Sequence, residues 1–459
     1  MYCKLCGDVF LRSWLSVPYA YYRRGETFVH ELEKDEFELL QKCNGEQKLE
    51  ETTLLLSLLR RGLLCEIDKP DFIPVDYRFC ANRYFSRINW MITGRCNLNC
   101  RHCFNATDNG RIKSEFSWDE CVLLLNDAQK CGVLAFTLTG GEPMMHPHFL
   151  NIIRSVYDRN MVIAELNTNG DFITQSILDE MKNIGCRPLI KISFDGIGHH
   201  DWLRNQTGAE KRALEAIKLC ISNNMPVMVQ TNINSINVAS ILPTIDLMDS
   251  IGVVSTRIIR TSESPRWLEN SDNQCLSFEL YYEESLKIAE AYIAKPHTMD
   301  VNFWQFLDIY PISRTYRLSP VVGDNLSFNS HMPVCEHNRA MVGITSSGDL
   351  VPCNQLSGLF KKQGISLGNI FKSGLQQLLL DSSYLDAVCM PVARIIGHNE
   401  QCQKCIYWQL CLGGCRAIAM AFNKNYYSYD PAKCSYFHGG WIEKTQKAMN
   451  RKMMNVCNE

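Results

Sequence analysis

The sequence predicts an α/β fold: a parallel sheet curled into a partial barrel of six β/α units, with a smaller domain on either side. Three observations predict it. Apolar runs of strand length alternate with amphipathic helical stretches between residues 86 and 265. Glycine-rich or polar stretches follow those runs, where ligands sit in parallel sheets. The cysteines collect near residue 100 and from 402 to 434, outside the first 85 residues and at the far end of the chain.

The chain has 459 residues, enough for two or three domains, each with its own core. With 47 basic and 49 acidic residues its net charge is −2, which points to no nucleic-acid partner and no membrane surface. The first ten residues lack a basic-then-apolar signal pattern, and no run of 18 apolar residues predicts a membrane span. The 22 cysteines are therefore expected to be reduced thiols and metal ligands of a cytoplasmic, oxygen-sensitive protein.

From the start, Leu11–Leu15 and Val17–Tyr22 alternate as strands, Arg24 to Glu26 reads as a turn, and Thr27–Leu32 reads as a further strand. Phe37 to Cys43 fits a helical face stopped by Asn44-Gly45, and Leu49–Leu59 forms a second helical run. Arg60 to Gly62 reads as a basic last turn and a glycine cap before a strand through Ile67. Cys3 and Cys6 form an isolated CxxC with no partner pair, and no metal is expected there. Lys69–Pro74 reads as a linker. This pattern over 1–85 resembles a winged helix, and in particular the precursor-peptide recognition element similar to the pyrroloquinoline quinone chaperone family. The resemblance implies that a leader peptide is bound as an added strand. DNA binding is disfavoured, since acidic residues outnumber basic ones over 46–80. A purely structural cap is the remaining reading.

The barrel strands are expected at Ile88–Ile92, Val133–Thr139, Val162–Asn167, Leu189–Phe194, Val227–Asn232 and Val254–Arg260. Helices are expected near 147–159, 174–184, 208–223 and 238–250, and Ser117 with Glu120 forms a capping box for one more. After the first strand, Gly94 to Cys103 holds Cys96, Cys100 and Cys103 as C-x3-C-x2-C. Three thiols cannot close a four-ligand site. A [4Fe–4S] cluster held by three thiolates keeps one iron open for an amine and a carboxylate. Here the chain resembles the radical S-adenosylmethionine (SAM) enzymes; a zinc knuckle or unconnected thiols are the alternatives.

Gly140, Gly141 and Glu142 follow the second strand and resemble that family's GGE motif, in which the carboxylate is implied to face the ammonium of SAM. Asn167 and Asn169, after the third strand, offer polar groups for the ribose or form a plain turn. Ser193-Phe-Asp-Gly196 and His200 to Arg204 resemble the S-x-D-G and HDxxR stretch. The resemblance implies that Ser193 and Arg204 contact the nucleoside and carboxylate ends of SAM; a planar guanidinium suits two oxygens. Arg257–Thr261, on the sixth strand, is a candidate for a backbone contact to adenine.

Residues 266–330 read as a bridge with a helix near Tyr281–Ile293. Beyond them come Cys335-x12-Gly348-x4-Cys353, then Cys402-x2-Cys405-x5-Cys411-x3-Cys415, then Cys434. These seven cysteines and the glycine resemble the SPASM extension of radical SAM peptide-modifying enzymes; a zinc ribbon would explain one pair only. The resemblance implies a TIM-like partial barrel over 86–265 and a SPASM domain over 331–459. It implies one auxiliary [4Fe–4S] cluster on Cys402, Cys405, Cys411 and Cys434, a second on Cys335, Cys353 and Cys415, and three clusters in all. Relatives complete the second auxiliary site with a cysteine that Asn325–Val334 lacks; Cys275 and Cys389 are the candidates, and otherwise an iron stays open to a substrate thiolate.

The expected function is modification of a ribosomal precursor peptide through a 5′-deoxyadenosyl radical, with a Cys-to-carbon thioether foremost. Carbon–carbon cross-linking, epimerisation, sulfatase-type formylglycine formation and an iron–sulfur DNA sensor are the alternatives. A flavodoxin or ferredoxin is the implied electron donor. No catalytic base is legible; Asp349 is one acid among several.

Overall fold

The computed structural model describes residues 1–103, 114–272, 274–318, 330, 331, 333–335, 341–451 and 453–455. The first segment carries strands β1 (Tyr2–Leu5), β2 (Val9–Trp14), β3 (Ala20–Arg23), β4 (His30–Glu31), β5 (Asn44–Lys48), β6 (Leu64–Ile67) and β7 (Tyr77–Cys80). They form a three-stranded sheet, β5-β1-β6, and a four-stranded sheet, β4-β3-β2-β7. The helices Lys34–Lys42 and Thr53–Arg60 pack on them through Leu40, Leu55 and Leu58, all fully buried. The second helix starts four residues later than its apolar run, because Thr52 accepts a hydrogen bond from the Leu55 N–H (3.1 Å) and caps it there.

One expectation fails in this segment. Cys6 and Cys65 are not free thiols but a disulfide, with Cα atoms 5.4 Å apart. The antiparallel pairing of β1 with β6, which sets Leu5 opposite Leu64, brings together two cysteines 59 residues apart. The domain docks on the barrel through buried Trp14, whose indole N–H donates to the Cys131 carbonyl at 2.8 Å.

The barrel is formed by β8 (Arg87–Thr93), β9 (Ala135–Gly140), β10 (Val162–Thr168), β11 (Leu189–Ser193), β12 (Val227–Ile233) and β13 (Ser255–Arg260), parallel and adjacent in chain order. Alternation along each strand decides its two faces. On β8, Ile88, Trp90 and Ile92 are fully buried in the core shared with the surrounding helices, and burying each contributes about 1.5–3 kcal/mol. The opposite face is polar. Lys191 and Glu165 pair at 2.8 Å, and the Thr137 hydroxyl donates to the same carboxylate at 3.1 Å. The helix Trp118–Cys131 starts at the expected capping box, with Ser117 and Glu120 bonded reciprocally.

The stretch 266–330, read from sequence as a bridge, carries further strands of this sheet where it is described. Asp300–Phe303 (β14) lies parallel to β13 because Val301 and Phe303 alternate inward, and Leu307–Tyr310 (β15) and Thr315–Leu318 (β16) follow antiparallel. At the opposite edge Met341–Ile344 (β17) runs parallel to β8, followed by Leu350–Val351 (β18); Met454–Asn455 (β19) pairs with β16. The C-terminal segment is thus sewn to the barrel by a twelve-stranded sheet. Among the described residues no helix is long and apolar enough to cross a membrane.

Candidate functional site

The loop after β8 is held against the end of β9 by backbone alone. The Gly141 N–H donates to the Thr93 carbonyl and the Glu142 N–H to the Arg95 carbonyl, both at 2.8 Å. A Cβ on Gly141 would sit 2.1 Å from the Arg95 oxygen, and one on Gly140 2.2 Å from the Thr93 oxygen, so the approach requires both glycines. The loop delivers Cys96, Cys100 and Cys103 to one cavity of about 320 Å³. Burial pushes the Cys96 thiol up to about 12, and the charges of Cys100, Glu142 and Cys103 act in the same direction. Burial also raises Cys100, and the Arg204 guanidinium, 3.7 Å from its sulfur, opposes that rise.

Glu142 is fully buried behind the glycines. Its carboxylate accepts from the Thr168 hydroxyl (2.9 Å), the Asn169 N–H (2.8 Å) and the Met144 N–H (3.2 Å), tying β10 to the glycine turn. Burial raises its pKa to about 7 despite these donors. Gly140, Gly141, Asn167, Asn169 and Ser193 line the cavity with the three cysteines. The Asn169 amide donates to Asn97 in the cysteine loop at 2.8 Å, whereas the buried Asn167 Oδ1 has no partner among the described residues.

Arg204 lies in the same wall, but its charge is already compensated. Its Nη2 pairs with Asp195 at 2.8 Å, and Asp195 is fully buried. Burial alone would raise the Asp195 carboxyl; Arg204, His102 and His200 hold it well below the ordinary carboxylate range. The Asn232 N–H also donates to Asp195 at 3.0 Å, so this one carboxylate joins β11, β12 and the helix His200–Arg204.

The second cysteine block falls into two groups. Cys335, Cys353 and Cys415 interact electrostatically with one another, and Cys402, Cys405 and Cys411 with Cys434. Burial pushes Cys415 and Cys411 up to about 11 and Cys434 to about 12. Between the groups stands Asp430, which sequence reasoning missed. It is nearly fully buried and accepts from the backbone N–H groups of Cys415 (2.7 Å), Ala432 (2.8 Å) and Lys433 (3.2 Å). Of the two cysteines considered for completing the trio, Cys275 sits with Glu263 and Trp267. Cys389 lies near Tyr384, which also lies near Cys353. Most of Asn325–Val334 lies outside the described residues. Asp349 is occupied in its own turn, accepting from Asn369 at 2.8 Å and Ser347 at 2.6 Å.

The cavity continues from the first three thiols to Asn354 and Gln355, next to Cys353, and to Ala417 and Ile418, just past Cys415. Arg260, from the stretch Arg257–Thr261 considered for an adenine contact, lines it too, as do Glu263, Arg266 and Trp304, which as single residues outside any spaced pattern gave no sequence signal. Among the described residues no three or more His, Cys, Asp or Glu side chains converge as a single metal ion would require. Sets of partly buried soft donors, with polar atoms such as Asn167 Oδ1 and His102 Nδ1 nearby that have no partner among the described residues, fit iron–sulfur clusters and a polar ligand beside the first of them.

Residues 90–248 match the radical SAM superfamily and residues 335–406 the SPASM iron-sulfur cluster-binding domain. The chain is 25% identical to the AdoMet-dependent heme synthase of Methanosarcina barkeri over 77% of this chain and 97% of that one. It is 25% identical to the PqqA peptide cyclase of Gluconobacter oxydans over 79% and 93%. In fold it is similar to Streptococcus suis SuiB bound to its precursor peptide SuiA. The TM-score is 0.65 at 12% identity, covering 94% of this chain and 99% of that one.

Proposed function

Because this chain is a radical SAM enzyme with a SPASM iron–sulfur domain, we propose that it modifies a ribosomally made peptide, joining a Cys sulfur to a carbon as a thioether. The observation that carries the reading is the single cavity that runs from Cys96, Cys100 and Cys103 to the residues flanking Cys353 and Cys415. The likeness to a fold solved with a precursor peptide, and to a peptide cyclase, supports the substrate class.

In this reading residues 1–85 bind the leader, 86–265 form the radical core, 266–330 connect, and 331–459 hold the auxiliary clusters. Cys96, Cys100 and Cys103 hold the SAM-binding cluster. Cys402, Cys405, Cys411 and Cys434 hold one auxiliary cluster, and Cys335, Cys353 and Cys415 the other. Held by Cys96, Cys100 and Cys103, a reduced cluster would supply the electron for cleavage of SAM, and with it the means of removing a hydrogen from the peptide. The protein's part is to orient and to exclude water. Gly140 and Gly141 give a ligand close access to backbone, and Asn167, Asn169 and Ser193 offer polar atoms to the nucleoside. Thioether formation removes two hydrogens from the peptide, so an electron acceptor is needed beside the radical centre. Flavodoxin or ferredoxin is the external donor, and the compartment is the cytoplasm.

Coexpression with a Cys-rich precursor encoded beside the enzyme tests the proposal. A loss of two hydrogens per cross-link, resistant to thiol alkylation, is expected; an unmodified or merely epimerised peptide contradicts it. The likeness to the heme synthase favours a second reading, a step of heme synthesis. The peptide reading is preferred because the fold likeness to the precursor-bound enzyme takes in 94% of the chain. Turnover of porphyrins, with the peptide untouched, would reverse that order.

A further inference from the structure

Arg416 follows Cys415 in the chain and is 2% exposed. Its side chain folds back over its own turn. The Nη2 donates to the carbonyl of Gly413, midway between Cys411 and Cys415. The Nη1 donates to the carbonyls of Tyr426 (2.8 Å) and Ser428 (2.6 Å). All of these acceptors are neutral backbone. Asp430 is the nearby acid, but its carboxylate is taken by the N–H groups of Cys415, Ala432 and Lys433. Arg416 also opens the helix Arg416–Asn423, the end at which aligned peptide dipoles favour negative charge. A guanidinium taken out of water at that end, with carbonyl partners alone, is costly unless anions lie close by.

The thiols supply such anions. The charge of Arg416 acts on Cys402 and Cys411 of the four-thiol group and on Cys415 of the trio. Net charge is one of the quantities that set the potential of an iron–sulfur cluster, and each electron taken up adds a negative charge. We propose that the Arg416 guanidinium, anchored in the turn between Cys411 and Cys415, is the shared counter-charge of both auxiliary cluster sites and biases them to accept an electron. The proposal rests on the reading of these thiols as cluster ligands. Joining a Cys thiol to a C–H carbon removes one hydrogen atom, one proton and one electron from the peptide. The hydrogen atom goes to the 5′-deoxyadenosyl radical and the proton to solvent. The electron passes to an oxidised auxiliary cluster, from which an external carrier of the flavodoxin or ferredoxin class takes it. Arg416 touches no substrate; it acts through the clusters by stabilising their reduced form.

The test uses the anaerobically reconstituted full-length chain with Cys96, Cys100 and Cys103 replaced by Ala, so that only the auxiliary clusters report. R416Q and R416K are made in that background. Iron and sulfide are counted, and midpoint potentials are read by redox titration followed by electron paramagnetic resonance. R416Q is expected to lower both potentials, so that the reduced-to-oxidised ratio at a fixed poise falls about tenfold or more, which is about 59 mV for one electron. R416K, which keeps the charge, is expected to stay close to the parent. Unchanged potentials in R416Q overturn the proposal, and so does a fall at one cluster alone. An equal fall in R416Q and R416K also overturns it, because the carbonyl contacts rather than the charge would then be at work. If R416Q takes up no auxiliary cluster, R416K decides: uptake rescued by lysine supports the counter-charge, whereas loss in both variants assigns Arg416 to holding the turn and overturns it. The auxiliary-cluster reading fails separately, if the parent with Arg416 intact takes up no iron and sulfide.

Discussion

Glu142 is engaged by three donors and buried from water, and the two facts pull its titration in opposite directions. Burial wins, raising the carboxyl from its usual 4.5 to about 7. The folded state then binds more protons than the unfolded chain between those values, so stability falls as pH rises through this window and levels off above it. A shift of that size corresponds to about 3 kcal/mol. In E142A the pH-dependent loss should disappear. The variant should also be less stable at every pH, since buried donors left unpaired cost about 1–3 kcal/mol each. Urea denaturation of the metal-free protein from pH 4.5 to 8 checks both; an unchanged slope would mean the carboxylate reaches water. Asp195 makes the opposite case, a buried carboxylate kept ionised by Arg204. D195N should cost about 3–5 kcal/mol by stranding the guanidinium. The double variant D195N/R204M should recover much of that loss; failure to recover would show that Asp195 acts through its backbone donors instead.

At the scale of elements, the close approach of the β8 and β9 ends decides whether the cysteine loop exists. A Cβ at position 141 meets backbone, which cannot rotate away. G141A should therefore leave the barrel folded but reduce iron bound after reconstitution by about one cluster of three, measured as iron and sulfide per chain. Loss of all three clusters would show instead that the whole fold had failed. The barrel strands were legible because Ile88, Trp90 and Ile92, and their counterparts Ile190 and Ile192, put one face into an apolar core. β5 was not, because Asn44–Lys48 is a polar edge strand whose Asn-Gly start reads equally as a helix stop. β14 to β16 were missed for a related reason. Each is four residues long, too short for alternation to stand out from loop.

At the scale of the molecule, the site is an agreement between distant parts. The thiols were legible because their spacing repeats a pattern; in the structure Cys96 lies near Cys100 and Cys103, Cys353 near Cys335 and Cys415, and Cys434 near Cys402, Cys405 and Cys411. Asp430, Glu263 and Arg266 were not, because a lone charged residue carries no spacing; only the sheet that joins barrel and C-terminal segment brings them to one wall or between two thiol groups. The pairing of Cys6 with Cys65 was hidden likewise, since no local pattern connects residues 59 apart. The account depends on the first three thiols holding a cluster that opens SAM. The direct measurement is 5′-deoxyadenosine released by the anaerobically reconstituted enzyme with SAM and dithionite. We predict its formation in equal amount with methionine, and its loss when Cys96, Cys100 and Cys103 are all replaced by Ala. Intact SAM over an iron- and sulfide-loaded wild type would contradict the account.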